Sequence, residues 1–224
     1  VSDKAVDIVD ALVRYAREGG AAIIEGRVTA LMMEDGVCTG VKLEDGTIRS
    51  ADAVIVATPH RFHADIAIEA LRNELHVLVE KPVDITVTKA KMLNETAKKS
   101  GKVFGIMFNQ RTNPLFREAR DIVKSGKLGN LKRSVWIVTN WYRTQSYYDS
   151  GEWRATWSGE GGGVLLNQAP HNLDIWQWIC GMPKKLYAKC DVAKFHNIEV
   201  EDDATILAEY EGGATGTFIT TTGE

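Results

Sequence analysis

Three short groups of residues combine chemically capable side chains with positions that present them. Glu80-Lys81-Pro82 closes the apolar run His76 to Glu80 (HVLVE), and Ala57-Thr58-Pro59-His60 closes the run Ala53 to Ala57 (AVIVA). In open parallel sheets, ligands sit beyond the carboxyl ends of the strands, so both turns lie where a ligand is expected. The third group is the Gly161-Gly162-Gly163 loop with Asn167, Gln168, His171 and Asp174 after it. His171 stands three residues before Asp174 and four after Asn167, so on a helix all three share one face. A histidine with polar neighbours is suited to general-base work. Taken singly, each group also reads as ordinary surface. A Lys-Pro turn is commonly solvated, and a polar helical face is commonly the wet side. Here, however, that face lies between apolar Val164, Leu165 and Leu166 and the run Ile175, Trp176 and Trp178. Polar groups in such a setting need partners.

The elements that must position these groups follow from periodicity. Val6, Val9, Leu12, Val13 and Ala16 recur at helical steps, with Ser2 or Asp3 as cap and Gly19-Gly20 as stop. Short β runs follow: Ala22 to Ile24, Arg27 to Met33, and Val37 to Leu43 after the hairpin signal Asp35-Gly36. Then come Thr47 and Ile48 after the turn Asp45-Gly46. The AVIVA run suits a central parallel strand buried on both faces. From there strands and helices alternate: helix Phe62 to Arg72, strand His76 to Glu80, helix Thr88 to Lys99, strand Lys102 to Phe108, helix Phe116 to Lys124. Such alternation implies βαβ units. Beyond it come a strand from Leu131 to Trp141 and a long loop from Tyr142 to Gly163, long enough to be functional. A helix from Val164 to Cys180 ends at Gly181, and strands are expected over Lys185 to Lys194, Ala204 to Tyr210 and Ala214 to Thr221. The expected fold is α/β: a partial Rossmann-like parallel sheet followed by an α+β domain with a mainly antiparallel sheet.

Composition narrows the function classes. Of the 224 residues 44% are hydrophobic and 25% charged, an ordinary globular balance. The net charge of −3 supplies no basic field for nucleic acid or an anionic membrane. No apolar run approaches the roughly 20 residues that span a bilayer. The opening Val1-Ser2-Asp3-Lys4 lacks the pattern of a signal peptide, so a cytoplasmic protein is expected. Cys38, Cys180 and Cys190 are widely spaced and form no CxxC pair, so neither a metal site nor a disulfide framework is expected.

Two stretches, Asp52 to Pro82 (DAVIVATPHRFHADIAIEALRNELHVLVEKP) and Gly161 to Gly181 (GGGVLLNQAPHNLDIWQWICG), closely resemble the Gfo/Idh/MocA oxidoreductases. Val103 to Arg111 (VFGIMFNQR) fits as well. The resemblance implies hydride transfer between a sugar or cyclitol hydroxyl and NAD(P). By resemblance, Lys81 is the catalytic lysine near the transferred hydride and His171 the proton acceptor or relay. Asn167, Gln168 and Asp174 fall to the substrate, with Asp174 binding it or orienting His171. Thr58, Pro59, His63, Glu80 and Lys81 line the nicotinamide side, and Asn109 and Arg111 stand near the domain interface. Many family members carry Asp four residues before the histidine; here it is Asn167, so an acidic relay through that position is not expected.

The same family opens with a GxGxxG turn that holds the pyrophosphate, and no such motif occurs in this sequence. Gly159 and Gly161 to Gly163 follow no predicted parallel strand. Weak cofactor affinity is therefore expected. Residues 1–51 resemble instead an internal segment of two-dinucleotide-binding-domain flavoproteins, whose own Gly-rich start is also missing, so FAD binding is not expected. Because both families own a strand like Ala51 to Thr58, the chain reads as a join at a shared element: 1–51 flavoprotein-like, 52–111 a partial dinucleotide-binding half, and 112–224 a substrate and oligomerisation domain shortened at its end. Three readings follow: an NAD(P)-dependent oxidoreductase, a fused or engineered chimera that keeps the fold without turnover, and a flavin-binding module. Whichever holds, a sheet covered on one face only must bury the other, so a homo-oligomer through the C-terminal sheet is expected.

Overall fold

The computed structural model describes residues 13–34 and 37–223. The chain forms two compact units, one through Asp52 and one from Ala53 onward. In the first, helix α1 (residues 13–18) stops at the expected glycines, where Gly19 N–H donates to Tyr15 O at 3.0 Å and Gly20 takes φ 88°. The start of the expected helix, its cap and the Asp35-Gly36 turn lie outside the described residues. Strands β1 (Val28–Glu34), β2 (Val37–Leu43) and β3 (Ile48–Ser50) form an antiparallel meander in the order β1-β2-β3. The expected turn at Asp45-Gly46 is present: Asp45 Oδ1 accepts from Thr47 N–H at 2.8 Å. The expected strand at Ala22 to Ile24 does not form. Those residues are exposed and join no ladder among the described residues, and an unpaired three-residue run has no hydrogen-bonding mate to hold it.

The second unit opens with the parallel sheet. Strands β4 (Ala53–Val56), β5 (His76–Val79) and β6 (Phe104–Ile106) pair in that order, Val56 opposite Val79 and Val79 opposite Ile106. Helices α2 (His63–Arg72) and α3 (Val87–Ser100) cover one face. Val56, Val77 and Val79 on the strands, Ala67 and Leu71 on α2 and Leu93 on α3 are all buried there. Thr86 caps α3 by accepting from Lys89 N–H, and Gly101 ends it at φ 67°. One expectation needs correction. β4 is not buried on both faces: Ile55 is 69% exposed, because the helices lie on the Val56 side and β4 is the edge strand.

Helix α4 (Pro114–Lys124) leads to the second sheet, built from β7 (Arg133–Val138), β8 (Lys185–Val192), β9 (Glu201–Glu209) and β10 (Thr215–Thr221). The order is β7-β10-β9-β8, with only the β7/β10 pair parallel, so the sheet is mainly antiparallel as expected. A short helix α5 (Gln145–Asp149) interrupts the long loop after β7. Helix α6 (Pro170–Cys180) packs on one face of the sheet through Trp176, whose ring lies 5.4 Å from that of fully buried Phe218. Ile206, Ala208, Tyr210 and Val138 complete this core. Truncating a residue such as Phe218 to Ala costs about 3–5 kcal/mol.

The helix expected from Val164 begins only at Pro170. Proline has no N–H to continue an i→i−4 ladder. The preceding residues are held by β9: Gly163 N–H donates to Glu201 Oε2 at 2.9 Å, Val164 N–H to Glu201 O at 2.8 Å and Leu165 N–H to Glu201 Oε1 at 3.1 Å. This seating requires glycine, since a Cβ on Gly163 would stand 1.8 Å from Glu201 O. Gly163→Ala therefore forces the loop off the strand. The expected cost is about 3 kcal/mol, read by urea denaturation. A loss below about 1 kcal/mol would show that this contact does not seat the loop.

Candidate active site

The carboxyl ends of β4 and β5 place the first two groups side by side. Thr58 and Pro59 are exposed in the turn after β4, while Glu80 and Lys81 are half-buried in the turn after β5. His63, at the start of α2, ties the two turns together. Its Nε2 lies 2.6 Å from Thr58 O, its Nδ1 lies 2.7 Å from Pro82 O, and its ring is 1% exposed. His63 thus shapes the turns from behind, with both ring nitrogens beside main-chain carbonyls. The Lys81–Pro82 peptide is cis. Asn109 is exposed in the 3-10 turn Asn109–Thr112 that follows β6.

Lys81 reaches across to the third group. Its Nζ donates to Asn167 O at 2.7 Å, between residues 86 positions apart. Because α6 starts at Pro170, Asn167 lies in the turn before the helix and not on a common helical face with His171 and Asp174. Its side-chain amide donates through a short bond to Oε1 of Glu160, a carboxylate 1% exposed. His171 is half-buried on the first turn of α6, with its ring edge-on to Phe108 at 6.1 Å. Burial and then the nearby Lys81 charge hold the His171 ring below its ordinary range, which favours the neutral form that can accept a proton. Burial likewise lowers Lys81, opposed by Glu80 and Glu160.

Asp174, expected to bind substrate or orient His171, is paired with Arg111. Both its oxygens are taken by Arg111, Nε to Oδ2 at 2.7 Å and Nη2 to Oδ1 at 2.6 Å. This fork-on-carboxylate pair joins α6 to the turn after β6 and leaves Asp174 to fix Arg111. Gln168 is buried, and its Nε2, like Nδ1 of His171, meets no hydrogen-bond partner in the protein. Buried polar atoms are seldom left so. An apolar pocket of about 500 Å³ lies alongside, lined in part by Pro82, Phe108, Leu165 and Asp174.

Glu160 of this neighbourhood lies outside the three groups read from the sequence, whereas His60 closes the group after β4. Glu160 is the lone acid inside the run Gly159 to Gly163, and an acid among glycines was the available signal. His60 is buried, with its ring 5.8 Å from both His63 and Trp153. The exposed Thr58 and Pro59 and the half-buried Lys81 leave the end of the parallel sheet accessible, which fits the ring of a nicotinamide cofactor. At the phosphate end the described residues offer no glycine cradle, since Gly161 and Gly163 are closed by Ile85 and Glu201. No cluster of His, Cys, Asp and Glu able to hold a metal occurs among the described residues. No helix among them is long and apolar enough to cross a membrane.

Burial holds His60 down to about 4 from an ordinary 6.5, aided by Lys81, His63 and Arg154 and opposed by the Glu160 main chain. A ring depressed on folding stabilises the fold fully above pH 6.5 and loses that contribution as pH falls toward 4. The loss is on the order of 2–3 kcal/mol. Urea denaturation across that range is expected to show a shallower decline for His60→Phe than for the parent chain; parallel declines would contradict this placement.

Two family models match the chain in order. The model for the oxidoreductase family with an NAD-binding Rossmann fold, GFO_IDH_MocA, matches residues 41–108, and the GFO/IDH/MocA C-terminal domain matches residues 116–223. The uncharacterized oxidoreductase YfiI of Bacillus subtilis is 28% identical over 80% of this chain and 46% of its own. From the same organism, scyllo-inositol 2-dehydrogenase (NAD(+)) is 28% identical over 62% of this chain and 37% of its own. The crystal structure of the WlbA dehydrogenase from Bordetella pertussis, in complex with NADH and UDP-GlcNAcA, matches with a TM-score of 0.72 and 28% identity over 80% of this chain and 54% of that one. The chain thus spans about half the length of these relatives or less. With two models of one family matched in order along most of its length, and the Lys81 and His171 turns brought to one sheet edge, the chain belongs to the Gfo/Idh/MocA oxidoreductases.

Proposed function

We propose that this chain carries the reacting end of an NAD(P)-dependent dehydrogenase of sugar or cyclitol hydroxyls. The observation that carries the reading is the Lys81 ammonium, held by Asn167 at the carboxyl end of the parallel sheet and close enough to His171 to depress its protonation. NAD(P), when bound, supplies the hydride acceptor. Thr58, Pro59, Glu80, Lys81 and Asn109 would lie along its nicotinamide side. The substrate hydroxyl would sit between Lys81 and His171. Lys81 would donate a hydrogen bond to the hydroxyl oxygen and stabilise the negative charge that grows as the proton leaves. The neutral His171 would accept that proton. Gln168 would orient the remaining hydroxyls with its free amide. Support for a polyol or sugar comes from the relatives: one is an inositol dehydrogenase, and another was crystallised with NADH and a nucleotide sugar.

We divide the chain into a flavoprotein-like segment over 1–51, a partial dinucleotide-binding half over 52–111 and a substrate domain over 112–224, in a cytoplasmic setting. The antiparallel meander β1-β2-β3 favours a second reading, a fused chain that keeps the fold without turnover. Against it, the family match already begins at residue 41. Titration with NADH, followed by energy transfer from the six tryptophans, separates the two. Weak but saturable binding, below about 1 mM NADH, is expected, with turnover of a polyol panel that Lys81→Ala reduces by about 10²–10⁴-fold. Absence of binding at millimolar NADH would leave the fold-only reading in place.

We further propose a homo-oligomer through the open face of the second sheet. Val135 opposes Thr217, Thr217 opposes Leu207, and Leu207 opposes Tyr187, so these residues form one row across the sheet, with Ile137 in the next. Val135, Ile137, Leu207 and Tyr187 are each more than half exposed. An apolar stripe of this kind favours a protein partner. Light scattering after size exclusion is expected to give an oligomer that Leu207→Lys dissociates. A strictly monomeric parent chain at high concentration would refute the proposal.

A further inference from the structure

Glu160 has no task in the reaction as proposed, yet it is 1% exposed beside the lysine that does. A carboxylate so far from water must be compensated, because an unpaired buried charge is strongly destabilising. Its hydrogen-bond donors are neutral: Ala155 N–H reaches Oε2 at 2.8 Å, and the Asn167 amide reaches Oε1. The cations that face it are Arg154 and Lys81, with Glu201 as a like charge and the Tyr148 hydroxyl nearby. Lys81 in turn is faced by Glu80 and Glu160, and by the rings of His60 and His171. Asn167 is therefore gripped twice, its side chain by a carboxylate and its main-chain oxygen by an ammonium.

We propose that Glu160 is the positioning residue of the Lys81 site: it fixes Asn167 so that the main-chain carbonyl receives the Lys81 ammonium, and its buried negative charge holds Lys81 in the protonated form. The proposal rests on the reading of Lys81 as the lysine that donates to the reacting hydroxyl. It also accounts for the amide at position 167, since the carboxylate stands one hydrogen bond further back. Burial raises Glu160 above the ordinary carboxylate range, while Arg154 and Lys81 oppose that rise. The charge balance of the pair is thus sensitive to pH.

The test is the pH dependence of Lys81 acylation by a small anhydride in the full chain without cofactor, read at the Lys81 peptide by mass spectrometry. Glu160→Gln keeps the shape and an acceptor for Ala155 N–H but removes the charge. The Lys81 midpoint is expected to fall by about one pH unit, a roughly tenfold gain in neutral amine at a given pH. Exposed Lys98 serves as the unchanged reference. An unmoved midpoint in a folded variant would reduce Glu160 to a loop anchor and overturn the proposal. Should the variant not fold, the parent chain decides: the ¹³C signal of dimethylated Lys81, assigned by its loss in Lys81→Arg, is expected to show a second inflection as Glu160 titrates. Absence of that inflection overturns the proposal equally. Acylation needs no turnover, so a chain inactive on polyols that still shows the shift would sink the dehydrogenase reading and leave the role of Glu160 standing.

Discussion

One hydrogen bond, from Lys81 Nζ to Asn167 O, joins the turn after β5 to the loop before α6. A charged donor to a carbonyl in a half-buried setting contributes about 1.5–3 kcal/mol, more than an ordinary main-chain bond. The bond needs both ends in place. The Lys81 end is set by the parallel sheet and by His63, whose ring lies between the Thr58 and Pro82 carbonyls and donates to one of them. The Asn167 end is set by a loop that cannot lie on β9 unless residue 163 is glycine. Loss of either support would leave the ammonium half-buried without its partner, and the same displacement would carry His171 away from Lys81.

Buried carboxylates organise the loops around this bond. Glu201 at the start of β9 accepts from Gly163 and Leu165 N–H and seats the Gly-rich loop. Its neighbour Asp202, fully buried, accepts from the N–H groups of Lys194, Phe195 and His196 and from the His196 ring, and seats the turn after β8. Asp174 holds Arg111, and Glu160 holds Asn167 and Ala155. In each case a carboxylate accepts from main-chain N–H groups or from an amide, imidazole or guanidinium side chain. The long stretch between β7 and α6 is thereby ordered with only one short helix of its own.

Family membership and local chemistry constrain function to different degrees. The family matches account for the two sheets and their order, and the edge strand β4, with Ile55 exposed, marks the limit of the parallel half described. The relatives are about twice the length of this chain or more, so the activity of the whole protein rests on the site itself. What the site offers is a lysine lowered by burial, a histidine lowered by burial and by that lysine, and two buried polar atoms without a partner in the protein. That set suits proton handling at a hydroxyl.

The sequence by itself determined the strand–helix alternation from Ala53, the ends of the strands and the two turns that carry Thr58 and Lys81, because apolar runs and Gly or Pro stops are local signals. It also marked His171 through motif and spacing. What only the tertiary structure decided are the pairings between distant segments. Asn167 was read as a helical neighbour of His171, but Pro170 and the hold of Glu201 on three consecutive residues keep it in a turn where its main chain, not its side chain, meets Lys81. Asp174 was read as a substrate or histidine partner, and Arg111 from the turn after β6 takes both its oxygens. Glu160 drew no notice among glycines, because its burial arises only when the loop closes on β9. Which carboxylate faces which donor depends on contacts between segments far apart in the chain, and periodicity carries no record of them.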